Sequence, residues 1–107
     1  MSTFSIEGDC RSILTRLFEV DQDGQLWFGW SGNAIHATHE DLLARPIRFR
    51  DYIMEGFVFY SVLAEDLGPG CLLSVQGEGS NRDWSIYWQV RHYIKAAGLT
   101  ILNEAEG

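Results

Sequence analysis

Ile47-Arg48-Phe49-Arg50-Asp51-Tyr52-Ile53-Met54-Glu55-Gly56-Phe57-Val58-Phe59-Tyr60-Ser61-Val62-Leu63-Ala64-Glu65-Asp66-Leu67 is the stretch on which the fold turns. Two periodicities compete in it. Phe49, Ile53, Phe57, Tyr60, Ala64 and Leu67 recur at helical spacing and would give one long helix. Ile47-Arg48-Phe49-Arg50 instead alternates apolar with basic, the period of a half-buried strand with its arginines outward. Gly56 and the run Phe57-Val58-Phe59-Tyr60 weaken the helix through backbone freedom and restricted side-chain rotation. The expectation is therefore a hairpin, turning at Glu55-Gly56 and pairing back from Phe57 to Ala64. Leu67-Gly68-Pro69-Gly70 turns the chain again, into a strand from Cys71 to Gln76.

Upstream, Asp9 can cap a helix over about residues 9–20, because Cys10, Ile13, Leu14, Leu17 and Phe18 share one face. Asp21-Gln22-Asp23-Gly24 ends it. Gln25 to Trp30 reads as a strand with Leu26, Phe28 and Trp30 on one face and Trp27 on the other. After a turn at Ser31-Gly32-Asn33, residues 34–38 return as a strand with Ile35 and Ala37 inward. Thr38 with Asp41 forms a capping box for a short helix through Ala44, which Pro46 stops. Downstream, Ser80 or Asn81 caps a last helix that ends at Gly98. Leu99 to Leu102 is the final strand, and residues 103–107 fray. The predicted architecture is α+β: one domain over residues 1–107, ordered α-β-β-short α-β-β-β-α-β. Two main helices pack on one face of a mostly antiparallel sheet.

The chain has 107 residues, with 15 acidic and 8 basic side chains and a formal charge of −7. An apolar share of 46% is enough for a packed core. The acidic balance argues against direct nucleic-acid binding and against docking on an anionic membrane. No apolar run approaches the length that spans a bilayer. The first residues lack the basic and apolar regions of a signal peptide, so a cytoplasmic location is expected, with Cys10 and Cys71 buried and free. Charge is also uneven. Residues 17–44 carry Glu19, Asp21, Asp23, Glu40 and Asp41 without a Lys or Arg, and residues 51–81 carry five more acids, Glu65 and Asp66 among them. Between them stands a basic island, Arg45, Arg48 and Arg50, able to bind an anion or an acidic partner, or simply to pair within the chain.

Few residue patterns point to chemistry. His36-x-x-His39 could supply two zinc ligands, but nothing in the spacing provides a third. Asp21-x-Asp23-Gly24 begins like a calcium loop, yet its twelfth position would be Gly32 rather than a bidentate Glu. Cys10 lies on an apolar helix face, and no nucleophile elbow or phosphate-binding motif occurs. No catalytic residue, metal or cofactor is expected.

Aromatic residues are more informative, at 13% of the chain. They are too many for one two-layer domain to hide, so some are expected at the surface, with Trp27, Trp84, Tyr87 and Trp88 as candidates. Acidic patches beside exposed rings suit a basic protein partner, because charge speeds encounter and rings anchor the complex. The expected function is a non-enzymatic inhibitor or antagonist occupying a basic, nucleic-acid-handling site on another protein. Small bacterial immunity proteins and phage anti-CRISPR proteins share this size and charge, an analogy of class and not of motif. The alternatives are a small-ligand module with an aromatic pocket, or a subunit burying its aromatics in a homodimer or larger assembly.

Overall fold

Residues 47–53 and 56–66 fold as two paired strands, not as a helix. The computed structural model describes residues 1–53, 56–78 and 83–107, and the side chains of all of these except 53 and 83–85. In chain order its elements are β1 (Ser2–Ile6), α1 (Cys10–Leu17), β2 (Phe18–Val20), β3 (Gln25–Phe28), β4 (Gly32–Ile35), α2 (His39–Ala44), β5 (Ile47–Ile53), β6 (Gly56–Asp66), β7 (Cys71–Gly77), α3 (Asp83–Ala96) and β8 (Ile101–Ala105). The strands form one sheet, ordered β2-β3-β4-β5-β6-β7-β1-β8, with every pair antiparallel. This is a small α+β domain.

Local chemistry explains most of the boundaries. Asp9 caps α1 by accepting the Ser12 amide at 3.0 Å. Thr38 and Asp41 form the reciprocal capping box of α2. Gly70, at φ +107°, closes the β6–β7 turn by accepting from the Leu67 amide at 3.1 Å. The proposed caps Ser80 and Asn81, and Glu55 of the expected Glu55-Gly56 turn, lie outside the described residues, whereas Gly56 belongs to β6 and is paired with Ile53 rather than standing in the turn.

The structure corrects the sequence expectation in several places. Residues 2–6 form a strand absent from that expectation, seated between β7 and β8. Helix α1 stops at Leu17 rather than near residue 20, because Phe18 turns into extended backbone and pairs with Phe28. Their rings stack at 4.5 Å, so a tertiary interaction overrides the helical pattern. Strand β4 ends at Ile35, which faces outward, and His36 adopts φ +56°. The C-terminal strand starts at Ile101 and runs through Ala105. Residues 103–105 are paired with β1 rather than frayed.

Alternation along the strands builds the core. Phe4, Ile6, Phe18, Leu26, Phe28, Phe49, Tyr60, Val62, Leu73 and Val75 join Ile13, Leu14 and Leu17 of α1, Leu42 of α2, and Ile86, Val90, Tyr93 and Ile94 of α3 in one buried cluster. The same alternation carries one charged side chain inward, Asp51, which is fully buried. The intervening strand positions form a cross-strand row of a different kind. Glu19 stands opposite Trp27, Trp27 opposite Asn33, Asn33 opposite Arg50, and Arg50 opposite Phe59.

Candidate functional site

The seven predicted acidic residues fall in three places. Glu19, Asp21 and Asp23 lie at the β2–β3 hairpin, on the outer strand of the sheet. Asp21 organises that hairpin. Its carboxylate accepts from the Asp23 amide at 2.9 Å, the Gln25 amide at 3.0 Å and the Trp27 indole at 2.8 Å. These bonds, the indole's first, hold its pKa below the ordinary carboxylate value. Asp21 is thus a structural acid, whereas Glu19 and Asp23 are exposed and form no ion pair among the described residues. Glu40 pairs with Arg11, and Asp41 is divided between the capping box and Arg45 at 3.9 Å. At the far end of β6, Asp66 accepts from the Gly68 amide at 3.0 Å and Glu65 is exposed.

The aromatic candidates divide in a similar way. Trp27 is half-buried by its bond to Asp21. Tyr87 belongs to the core, stacked on Phe4 at 5.4 Å, so it is not a surface ring. Trp88 is exposed, with the Arg91 guanidinium 5.7 Å from its ring. The Trp84 side chain lies outside the described residues. Three further rings are exposed that the sequence pattern does not single out: Trp30, Tyr52 and Phe57. Alternation puts Trp30 inside with Leu26 and Phe28. The strand ends at Phe28, however, and Gly29 at φ +63° swings the chain away. A Cβ at Gly29 would fall 2.7 Å from the Tyr93 ring, so this path is open only to glycine. Trp30 is left 64% exposed, edge-on to His92 at 5.2 Å and Tyr93 at 4.9 Å.

Trp30 and Glu19 flank the same groove, of about 330 Å³, between the outer sheet edge and the C-terminal turn of α3. Leu17, Gly29 and Ala96 contribute to it. Arg16 also lines it but is tied to the Ala97 carbonyl oxygen. An anionic group, a guanidinium held against a backbone carbonyl, and a large apolar ring therefore face one concavity.

The basic island does not act as a unit. Arg45 joins Asp41, and Arg48 forms a two-pronged pair with Glu78 at 2.7 and 3.0 Å. That pair lowers the Glu78 pKa and raises that of Arg48. Arg48 also lies 3.7 Å over the Phe59 ring. Arg50 has no carboxylate partner among the described residues. It rests 5.4 Å from the Tyr52 ring and 5.9 Å from the Phe57 ring.

Inside the domain, Asp51 accepts from Gln89 at 2.7 Å and from the Tyr93 hydroxyl at 2.9 Å through one oxygen, while its other oxygen has no partner among the described residues. The Tyr60 hydroxyl is also buried without such a partner. Desolvation first, then the Asp51 charge, push the Tyr60 pKa well above the usual phenol range. Desolvation chiefly raises Tyr93 to about 12, and its hydroxyl also bonds to Ser31. Asp51, Tyr60 and Tyr93 are all buried, so the cluster reads as interior structure.

The remaining candidates are structural in this fold. The His39 ring nitrogen meets the Phe18 carbonyl oxygen at 2.6 Å, and exposed His36 stands apart in the preceding turn. Among the described residues no group of three or more His, Cys, Asp or Glu could hold a metal ion. Cys10 and Cys71 are free, buried and hydrogen-bonded to each other, and burial raises both thiol pKa values. No described helix is long and apolar enough to cross a membrane. Comparison with protein families, with curated proteins and with solved structures finds no match to this chain.

Proposed function

We propose that this chain is a non-enzymatic, cytoplasmic protein-binding antagonist, and that its acidic sheet edge occupies a basic, nucleic-acid-handling site on a partner protein. One observation carries this reading: Glu19 and the exposed Trp30 face the same edge groove. An exposed carboxylate steers a cationic surface toward the edge, and a large ring in a groove supplies the anchor. Asp23 adds a second exposed charge at the turn of the same hairpin, while the Asp21 carboxylate is taken up in fixing that hairpin. In this reading the helices pack on one face of the sheet and stiffen the edge from behind.

The test is capture of partners from the native host on the tagged chain, in parallel with Glu19→Lys/Asp23→Lys and Trp30→Ala variants. A basic protein should be enriched on the parent chain, depleted on both variants, and released as salt rises, because exposed charges are screened beyond roughly 10 Å at 0.1 M salt. Equal recovery on all three baits, or recovery indifferent to salt, would remove the edge groove from consideration.

A further inference from the structure

A second groove, of about 190 Å³, lies on the sheet around Asn33, Ile35, Arg48, Arg50 and Phe59. Three features of it point to a ligand. First, the charges are unequal. Arg48 is neutralised by Glu78, whereas Arg50 has no carboxylate among the described residues, so the groove holds one uncompensated positive charge. Second, the guanidinium of Arg50 lies 5.4 Å from the Tyr52 ring on its own strand and 5.9 Å from the Phe57 ring on β6, a pair of rings that favours a cation beside it. Third, Asn33 is only 7% exposed. Its amide nitrogen donates to Gln25 at 3.1 Å, but its carbonyl oxygen has no partner among the described residues. A buried acceptor without a donor is uncommon and calls for one.

Size and charge narrow the ligand. The groove is smaller than the roughly 300–1,000 Å³ of a drug-sized pocket, so it suits one side chain rather than a whole cofactor. A phosphate monoester carries about −1.5 to −2 at pH 7, more than Arg50 balances, and the Glu78 carboxylate nearby would repel the excess. A carboxylate matches the single charge. The donor that Asn33 lacks is what a peptide N–H supplies. We propose that this groove binds one Asp or Glu side chain of an acidic peptide segment, with Arg50 as the cation and Asn33, once its buried amide turns toward the groove, accepting a neighbouring peptide N–H. The site is opposite in sign to the edge groove and stands or falls without it. It would let the chain engage a mixed-charge partner at two places.

The full ¹⁵N-labelled chain can be titrated by NMR with the capped tripeptide acetyl-Ala-Glu-Ala-amide, its Gln counterpart and inorganic phosphate. Saturable shifts should appear with the Glu peptide at Asn33, Ile35, Arg50 and Phe59. Binding should be about tenfold weaker for the Gln peptide and for Arg50→Gln, the scale of one charge-assisted hydrogen bond. Three results would each overturn the proposal: no saturable shift at these residues, equal binding of the Glu and Gln peptides, or tighter binding of phosphate than of the Glu peptide. The peptide comparison needs no variant, so it stands even where Arg50→Gln fails to fold.

Discussion

Gly32 and Tyr60 form a lock whose two halves can be changed separately. A methyl group added at Gly32 would lie 2.2 Å from the Tyr60 hydroxyl oxygen, but 3.4 Å from the ring carbon that bears it and 3.5 Å from the Phe28 carbonyl oxygen. The hydroxyl is thus the sole obstruction. Gly32→Ala alone is an overpacking change in a buried strand and should cost about 1–3 kcal/mol. Tyr60→Phe removes a buried hydroxyl that has no partner among the described residues. Relief of its desolvation, roughly 1–3 kcal/mol, outweighs the small dispersion attraction of a single oxygen atom. This variant should therefore be more stable than the parent by about 1 kcal/mol. With the oxygen gone, the same alanine meets its neighbours at ordinary van der Waals distance. Gly32 does not have a positive φ, so alanine should then gain about 0.4–1 kcal/mol by restricting the unfolded chain. The double variant should be the most stable of the four, with a coupling energy of about 1.4–4 kcal/mol. Urea unfolding followed by far-ultraviolet circular dichroism measures all four corners of the cycle. If the effects add to within about 0.5 kcal/mol, the close approach of Gly32 to the hydroxyl is not what shapes this part of the sheet.

Two further outcomes follow from the titrating groups. The Asp21 pKa is depressed in the fold, so its contribution is present above the ordinary value of 3.8 and is lost as pH falls below that through the lowered folded value. Urea midpoints measured between about pH 5 and pH 2 should therefore fall less steeply for Asp21→Asn than for the parent chain, and parallel curves would contradict the role given to this hairpin. Cys10 and Cys71 are buried with raised pKa values, so an aromatic disulfide reagent at mildly alkaline pH should leave both thiols unmodified until urea is added. Rapid labelling of either thiol in the folded chain would count against the burial of Cys10 and Cys71.

The pairing of residues 47–53 with 56–66 is legible in the sequence because Ile47, Phe49, Val58, Tyr60, Val62 and Ala64 mark one face at period two. The same rule conceals Asp51, since a charged residue at an inward position looks like an interruption of the pattern rather than a buried group. Strand β1 is hard to see because Ser2, Thr3 and Ser5 leave only Phe4 and Ile6 as apolar signals, and its strand character comes from partners far along the chain. Periodicity over-extends α1 because Phe18 fits the helical stripe as well as it fits a ring stack on Phe28. For the candidate sites, alternation alone places Arg48 and Arg50 on the outer face. It cannot add Asn33 and Phe59 to them, because only the register of three strands makes them neighbours. Likewise, Trp30 is exposed through the conformation of Gly29, which no side-chain pattern records.

The position of β1 bears on how the chain reaches its folded state. Strands β2 to β7 neighbour one another in both sequence and sheet and can pair by successive local steps. Strand β1 cannot seat on β7 until β7 has been synthesised, and β8 in turn pairs with β1. Closing so long a loop is slow compared with zipping neighbouring hairpins. Until it closes, β7 presents an unpaired edge with Cys71, Leu73 and Val75 close behind it, the kind of edge that recruits strands from other chains. Residues 2–6 thus serve as a late-arriving guard for that edge, and substitutions at Phe4 or Ile6 should show themselves as aggregation during synthesis.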